Sequence, residues 1–203
     1  MSGKKRPSPA ELDIRRLKIF YRRLLKTKIL AIPLRQRDEG ARRVAEHIRK
    51  WPRYQRSEII TAYVSADHEM GTEPLLRMAR NDGKQVALPV IDSDEMSFSL
   101  WNGKRSDLVL NRFGLREPRR SSCRLVSPSR IDLMIVPGRG FSPKGGRLGA
   151  GGGFYDRFLS RHPRLHSVGL AFQEQIVRDL PITDHDVPVN AILTPEGWLH
   201  RTR

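Results

Sequence analysis

Apolar positions along this chain switch between a helical and an alternating period, and each switch marks an element. "ELDIRRLKIFYRRLLKTKIL" places Leu17, Phe20, Leu24 and Leu25 on a helical stripe with basic residues between them. Lys18 and Arg22 are four apart there, so both cover one patch of helix surface. A second helix is expected in "DEGARRVAEHIRKW", with Asp38 as its cap. "EIITAYVS" is rich in β-branched residues and reads as a strand ending near Ser65. "TEPLLRMARND" reads as a short helix with Thr72 at its N-cap and Pro74 in its first turn. "KQVALPVI" and the partly alternating "SFSLW" are the next strands. After a loop rich in Ser, Arg and Pro come "IDLMIV", a glycine loop, a helix from about Phe154, and strands in "HSVGLAF" and "NAILT".

Strands alternating with helices predict an α/β fold, a mainly parallel sheet sandwiched by helices. The 203 residues suit a single domain with at most a small lobe. In such folds ligands sit at the carboxyl ends of the strands. The loops "SADHEMGT", "PVIDSDEM" and "PGRGFSPKGGRLGAGGG" are placed to form that site.

Composition adds a strong charge. The chain carries a formal +16, and Met1 to Lys28 alone hold ten Lys or Arg against two Asp or Glu. "MSGKKRPSP" is polar and proline-bearing, so residues 1–10 are expected to be a disordered basic extension and residues 11–203 the domain. That charge would make weak contacts with RNA, and would equally steer an anionic small substrate. One cysteine, Cys123, excludes an internal disulfide and a cysteine metal cluster, and reads as an ordinary loop thiol. No apolar run is long enough for a membrane span and the N-terminus lacks a signal-like stretch, so the expected compartment is the cytoplasm.

The glycine loop ends in "RLGAGGGFYDRFL". It fits neither the G-x-x-x-x-G-K-[ST] phosphate loop nor G-x-G-x-x-G, since Phe154 stands where the last glycine would be. Without more, it reads as a hinge. Arg147 before it could neutralise phosphate, and backbone N–H groups at a helix start suit phosphate as well. Asp156 in the first turn of the helix reads either as a dipole-compensating surface carboxylate or as a holder of Mg²⁺ beside phosphates.

"PGRGFSPKGGRLGAGGGFYDRFL" resembles the signature of the 5-formyltetrahydrofolate cyclo-ligase family, P-G-x-x-F-(x)-G-x-R-L-G-x-G-x-G-Y-Y-D-R-x-L. Pro137, Gly138, Phe141, Arg147, Leu148, Gly149, Gly151, Gly153, Tyr155, Asp156, Arg157 and Leu159 match it. Phe154 replaces the first tyrosine. "YVSADHEMGTEPLL" is similar to the family's strand followed by E-x-x-T, which places Glu69 and Thr72. "LPV" and "FGLREP" match its middle segments. "LPITDHDVPVNAILT" places His185 and Asp186, with Asn190 where an aspartate is usual. Lys18 and Arg22 align with the family's K-x-x-x-R.

The resemblance implies an ATP- and Mg²⁺-dependent ligase that converts 5-formyltetrahydrofolate to 5,10-methenyltetrahydrofolate through a phosphorylated formyl group. It implies an ATP site of Lys18, Arg22, Arg147, Leu148, Gly149, Ala150, Gly151, Gly152, Gly153, Phe154 and Tyr155. Asp156 and Asp186 would hold Mg²⁺, directly or through water. Glu69 would bind the pterin, with Val64, Tyr155 and Trp101 around the folate. No nucleophile or base is assigned, because phosphoryl transfer needs positioning and charge neutralisation. On residues alone, Glu69 reads equally as a loop cap, Trp101 and Phe98 as core aromatics, and His185 as a structural hydrogen-bonding residue. Arg147 and Glu69 are both expected in loops outside the core. The competing reading is a basic nucleic-acid-binding protein on the same fold without ligase activity. No interleaved aromatic platform or zinc knuckle supports it.

Overall fold

The computed structural model describes residues 8–201. Ser8 caps helix α1 (Pro9–Ala31) in a reciprocal box: its side chain accepts from the backbone N–H of Glu11, whose carboxylate accepts from the N–H of Ser8. Residues 8–10 therefore belong to the first helix, while the disorder expected for residues 1–7 lies outside the described residues. Helices α2 (Leu34–Arg49) and α3 (Pro52–Arg56) follow, then β1 (Ile59–Thr61), α4 (Glu73–Asn81), β2 (Gln85–Asp92) and β3 (Glu95–Leu100). A small ribbon of β4 (Leu108–Leu110) and β5 (Arg116–Pro118) precedes β6 (Leu133–Val136). The glycine region forms a second ribbon, β7 (Gly140–Phe141) with β8 (Arg147–Leu148), and leads into α5 (Phe154–Arg161). Strands β9 (Ser167–Leu170), β10 (Ala191–Thr194) and β11 (Gly197–Arg201) complete the chain. No helix among the described residues is long and apolar enough to cross a membrane.

Seven strands form one sheet in the order β11-β10-β9-β6-β1-β2-β3. The five inner strands are parallel, and β3 and β11 close the edges antiparallel as hairpins on β2 and β10. The side-chain period of two divides the strands between two cores. Leu133 and Ile135 face α2, α3 and α4, while Met134 and Val136 face α5. Both faces are covered, as a parallel sheet requires.

Three expectations change. Asp38 lies inside α2, which begins at Leu34 after Pro33, because the proline's fixed geometry starts the helix earlier. Strand β1 is only three residues long, and "AYVS" continues as the loop above it. In α1, Leu17, Phe20 and Leu24 are exposed and only Leu25 of the expected stripe is buried. The inward face instead carries Lys18, Arg22, Leu25 and Ile29, since tertiary partners of the two cations rotate the helix.

Gly169 in β9 fixes the path of the glycine region. A Cβ there would come within 2.2 Å of the buried Phe141 ring, so the bare strand backbone is what lets β7 lie on the sheet. Gly169→Ala is expected to lower the unfolding free energy by about 1–3 kcal/mol, read by urea denaturation, because the overpacked ring must move.

Candidate functional site

The loop leaving β1 is a closed clasp. Ser65 N–H donates to Thr72 Oγ1 and Thr72 N–H donates to Ser65 Oγ, each at 3.2 Å. The Thr72 hydroxyl donates to the Tyr63 carbonyl at 2.6 Å, so Thr72 sits at the N-cap of α4 but makes no side-chain bond to that helix. Within the clasp, Glu69 Oε2 accepts from Ala66 N–H at 3.0 Å. Burial pushes the Glu69 carboxyl up to about 7, against the pull of that N–H. Val64 is half-buried in the same loop.

The glycine loop leaves β6 from the adjacent strand. Gly151 (φ +115°) and Gly153 (φ +67°) turn its backbone through the left-handed region, and Gly153 is the residue from which α5 starts. Arg147 corrects the expectation of a free loop residue. Its side chain is 2 % exposed and lies in β8, beneath the glycines. Its Nη2 meets Asp156 Oδ1 at 2.7 Å and its Nη1 donates to the Pro137 carbonyl at 3.3 Å. Asp156 Oδ1 also accepts from Val187 N–H at 3.1 Å, which ties the C-terminal segment to α5.

Tyr155 stands between the two loops. The Arg147 guanidinium lies 5.7 Å from its ring centroid, and burial followed by the Glu69 charge raises its phenol. Its hydroxyl is buried with no partner among the described residues, as is Arg147 Nε. A buried unpaired hydroxyl is costly, so a polar group bound here would find an open partner in Tyr155.

Helix α1 closes the third side. Lys18 Nζ meets Asp186 Oδ2 at 2.5 Å, and that oxygen also accepts from the Thr183 N–H and hydroxyl at 2.6 and 3.0 Å. Burial raises the Asp186 carboxyl, but these donors outweigh it and hold the group below its ordinary value. Arg22 Nε donates to the Gly149 carbonyl at 2.8 Å. Burial lowers the Arg22 guanidinium, opposed by the Asp186 charge. Leu148 packs with Leu25 and Leu180 under this contact, while Ala150, Gly151 and Gly152 are exposed at the mouth. The Phe154 ring meets Phe113, from the turn between β4 and β5, edge-on at 5.3 Å, with the Arg157 guanidinium 5.0 Å away.

Asp156 and Asp186 therefore come from adjoining segments, each with one carboxylate oxygen engaged by the protein. No cluster of three or more His, Cys, Asp or Glu suited to a metal occurs among the described residues. One or two carboxylates completed by phosphate and water is the donor set Mg²⁺ accepts, so the residues fit that ion.

Two residues fall elsewhere. Trp101 follows β3, whose end pairs with the start of β2, so the hairpin carries it to the amino-terminal end of the parallel strands, opposite the end where Glu69 lies. There it lines a cavity of about 700 Å³ with Lys84, Asn102 and Cys123, and the structure does not bring it to the folate side. Phe98 is core, edge-on to Phe158 at 5.1 Å. His185 is exposed beside Asp186, and Asn190 receives the N–H and hydroxyl of Ser167 at the start of β9. The sequence reading missed Thr183, which shares Asp186 with Lys18, and Arg139, which occupies an open position of the signature.

Parallel strands with a cation-lined glycine loop over their carboxyl ends define an α/β domain with an anion-receptive mouth. Residues 12–195 match the model of the 5-formyltetrahydrofolate cyclo-ligase family, and the chain belongs to that family. It is 32% identical over 177 residues to the 5-formyltetrahydrofolate cyclo-ligase of Escherichia coli K12, a match covering 85% of this chain and 97% of the relative. The solved structure of Aquifex aeolicus 5,10-methenyltetrahydrofolate synthetase superposes with a TM-score of 0.80 at 28% identity, covering 92% of this chain and 93% of that one. A Mycoplasma pneumoniae synthetase shares the fold at 19% identity and a TM-score of 0.70, with 88% and 98% covered.

Glu69 gives the site a pH signature. Its folded carboxyl stands near 7 against an ordinary 4.5, so between those values the folded chain binds the extra proton and stability falls as pH rises. From about pH 5 to 8 the wild type is expected to lose roughly 2–3 kcal/mol more than Glu69→Gln, measured by urea denaturation at each pH.

Proposed function

We propose that this chain converts 5-formyltetrahydrofolate to 5,10-methenyltetrahydrofolate with ATP and Mg²⁺, releasing ADP and phosphate. One observation carries the reading: the glycine loop and the half-buried Glu69 open on the same end of the sheet, with the unpartnered Tyr155 hydroxyl between them. Family membership supports the substrate, and the two half-engaged aspartates support the metal.

In this reaction the formyl oxygen attacks the γ-phosphorus of ATP and ADP leaves. N10 then adds to the activated carbon and loses its proton. Phosphate departs with the former formyl oxygen, leaving the methenyl bridge between N5 and N10. A formyl oxygen is a poor leaving group, and phosphorylation corrects that. Such chemistry asks the protein for alignment and charge neutralisation more than for a nucleophile. The backbone of Gly149 to Gly153 and the first N–H groups of α5 face the phosphates, with Arg22 and Lys18 from α1. Arg147 acts from beneath, holding the loop and Asp156 in place. Asp156 and Asp186 would hold Mg²⁺, which would supply positive charge to the phosphate oxygens. Glu69 accepts from the amino and amide N–H groups of the pterin, and Val64 and Tyr155 flank it.

The reading is tested by the rise of methenyl absorbance. Turnover is expected only with ATP, Mg²⁺ and 5-formyltetrahydrofolate all present, and full-rate product without nucleotide would overturn phosphoryl activation. Glu69→Gln is expected to raise the folate KM by about tenfold, while calorimetric binding of a non-hydrolysable ATP analogue stays unchanged.

A further inference from the structure

Arg139 is a half-buried cation that the signature does not explain. It follows directly on Gly138, which packs against the Phe141 ring, and stands immediately before β7. Its backbone N–H donates to the Leu148 carbonyl at 2.7 Å, so it is anchored beside Gly149, the residue that receives Arg22. Its neighbour Gly140 packs against Leu25, one helical turn beyond Arg22 on α1. At its far end, Nη1 reaches the His68 carbonyl at 3.5 Å, next to Glu69. Arg139 thus spans from the glycine loop to the clasp that carries Glu69.

The electrostatics are unusual for an unliganded surface. Neither Arg139 nor Arg22 has a carboxylate within ion-pair distance among the described residues. Burial, with the nearby charge of Arg22 second, brings the Arg139 guanidinium down to about 10. Two partly desolvated guanidiniums repelling each other cost free energy that an anion between them would return. The contact with the His68 carbonyl is too long to be a strong structural strap, so holding the clasp is a poor account of the residue.

We propose that Arg139 is the guanidinium that meets the phosphoryl group as it passes from the nucleotide to the formyl oxygen, acting with Arg22 as a pair of cations across the junction of the two subsites. The proposal rests on the ligase reading above. While the bond from the formyl oxygen to phosphorus forms and the bond to the ADP oxygen breaks, Arg139 donates N–H bonds to the non-bridging oxygens and gives up no proton. Its forked geometry suits that planar array of oxygens, whereas an ammonium offers only a point charge.

The test compares wild type, Arg139→Leu and Arg139→Lys in the full chain, by steady-state kinetics and by calorimetric binding of inorganic tripolyphosphate without folate. For Arg139→Leu, kcat is expected to fall about 30-fold or more with the folate KM within about threefold, and tripolyphosphate to bind about tenfold more weakly. Arg139→Lys is expected to recover much of the tripolyphosphate binding but little of kcat, and both variants to melt near the wild-type temperature. A kcat for Arg139→Leu within about threefold of wild type would overturn the proposal. So would a loss confined to the folate KM, which would place the residue on the folate carboxylates. A wild type that makes no methenyl product would sink the ligase reading instead. Tripolyphosphate binding would then still decide the anion contact, and undiminished binding to Arg139→Leu would remove it.

Discussion

The geometry of the site depends on the buried pair between Arg147 and Asp156. Arg147 stands in the short ribbon under the glycine loop, and Asp156 in the first turn of the helix that the loop feeds. Their contact therefore sets the span the glycines must bridge. Asp156 also takes the Val187 N–H, so the same carboxylate locates the segment carrying Asp186. A buried ion pair of this kind adds little net stability, because desolvation offsets most of its attraction. Its value is directional. A planar guanidinium fixed by the Pro137 carbonyl and one carboxylate oxygen leaves the loop few other paths.

Helix α1 adds a second constraint of the same kind from outside the sheet. Lys18 and Arg22 face inward to a carboxylate and a backbone carbonyl, and the apolar residues that follow on that face, Leu25 and Ile29, are the ones that become buried. The polar contacts choose the helix rotation, and hydrophobic burial then follows it. The result leaves Leu17, Phe20 and Leu24 in solvent, which burial by itself would disfavour.

Between these two tethers the site is divided by charge. The glycine side gathers Arg22 and Arg139, while the clasp side carries Glu69 in a dry setting that resists ionisation. Tyr155, a neutral aromatic, separates them and touches both fields. In the proposed reaction a phosphorylated group crosses that boundary. Phe154, which replaces the signature tyrosine, packs its ring against Gly152 of the glycine loop and meets Phe113 and Arg157 on its other contacts.

The alternation of strands and helices was legible in the sequence because period-two and helical patterns are local, and they were enough to specify a mainly parallel sheet with its loops at one end. Family membership was legible for a related reason: Arg147, the glycines and Asp156 keep their spacing along the chain. The pattern could not tell which side of a helix or hairpin a residue would reach. Trp101 looks like a stacking residue until the β2–β3 hairpin turns it to the amino-terminal end of the parallel strands. Arg147 looks like a surface cation until Asp156 draws it under the loop. Thr183 and Arg139 carry no recognisable motif, and gain meaning only from partners 165 and 71 residues away along the chain, Lys18 and His68. Local periodicity reports which face of an element is apolar. Only packing between distant segments decides which polar groups are desolvated, paired or left open, and that decision made the site.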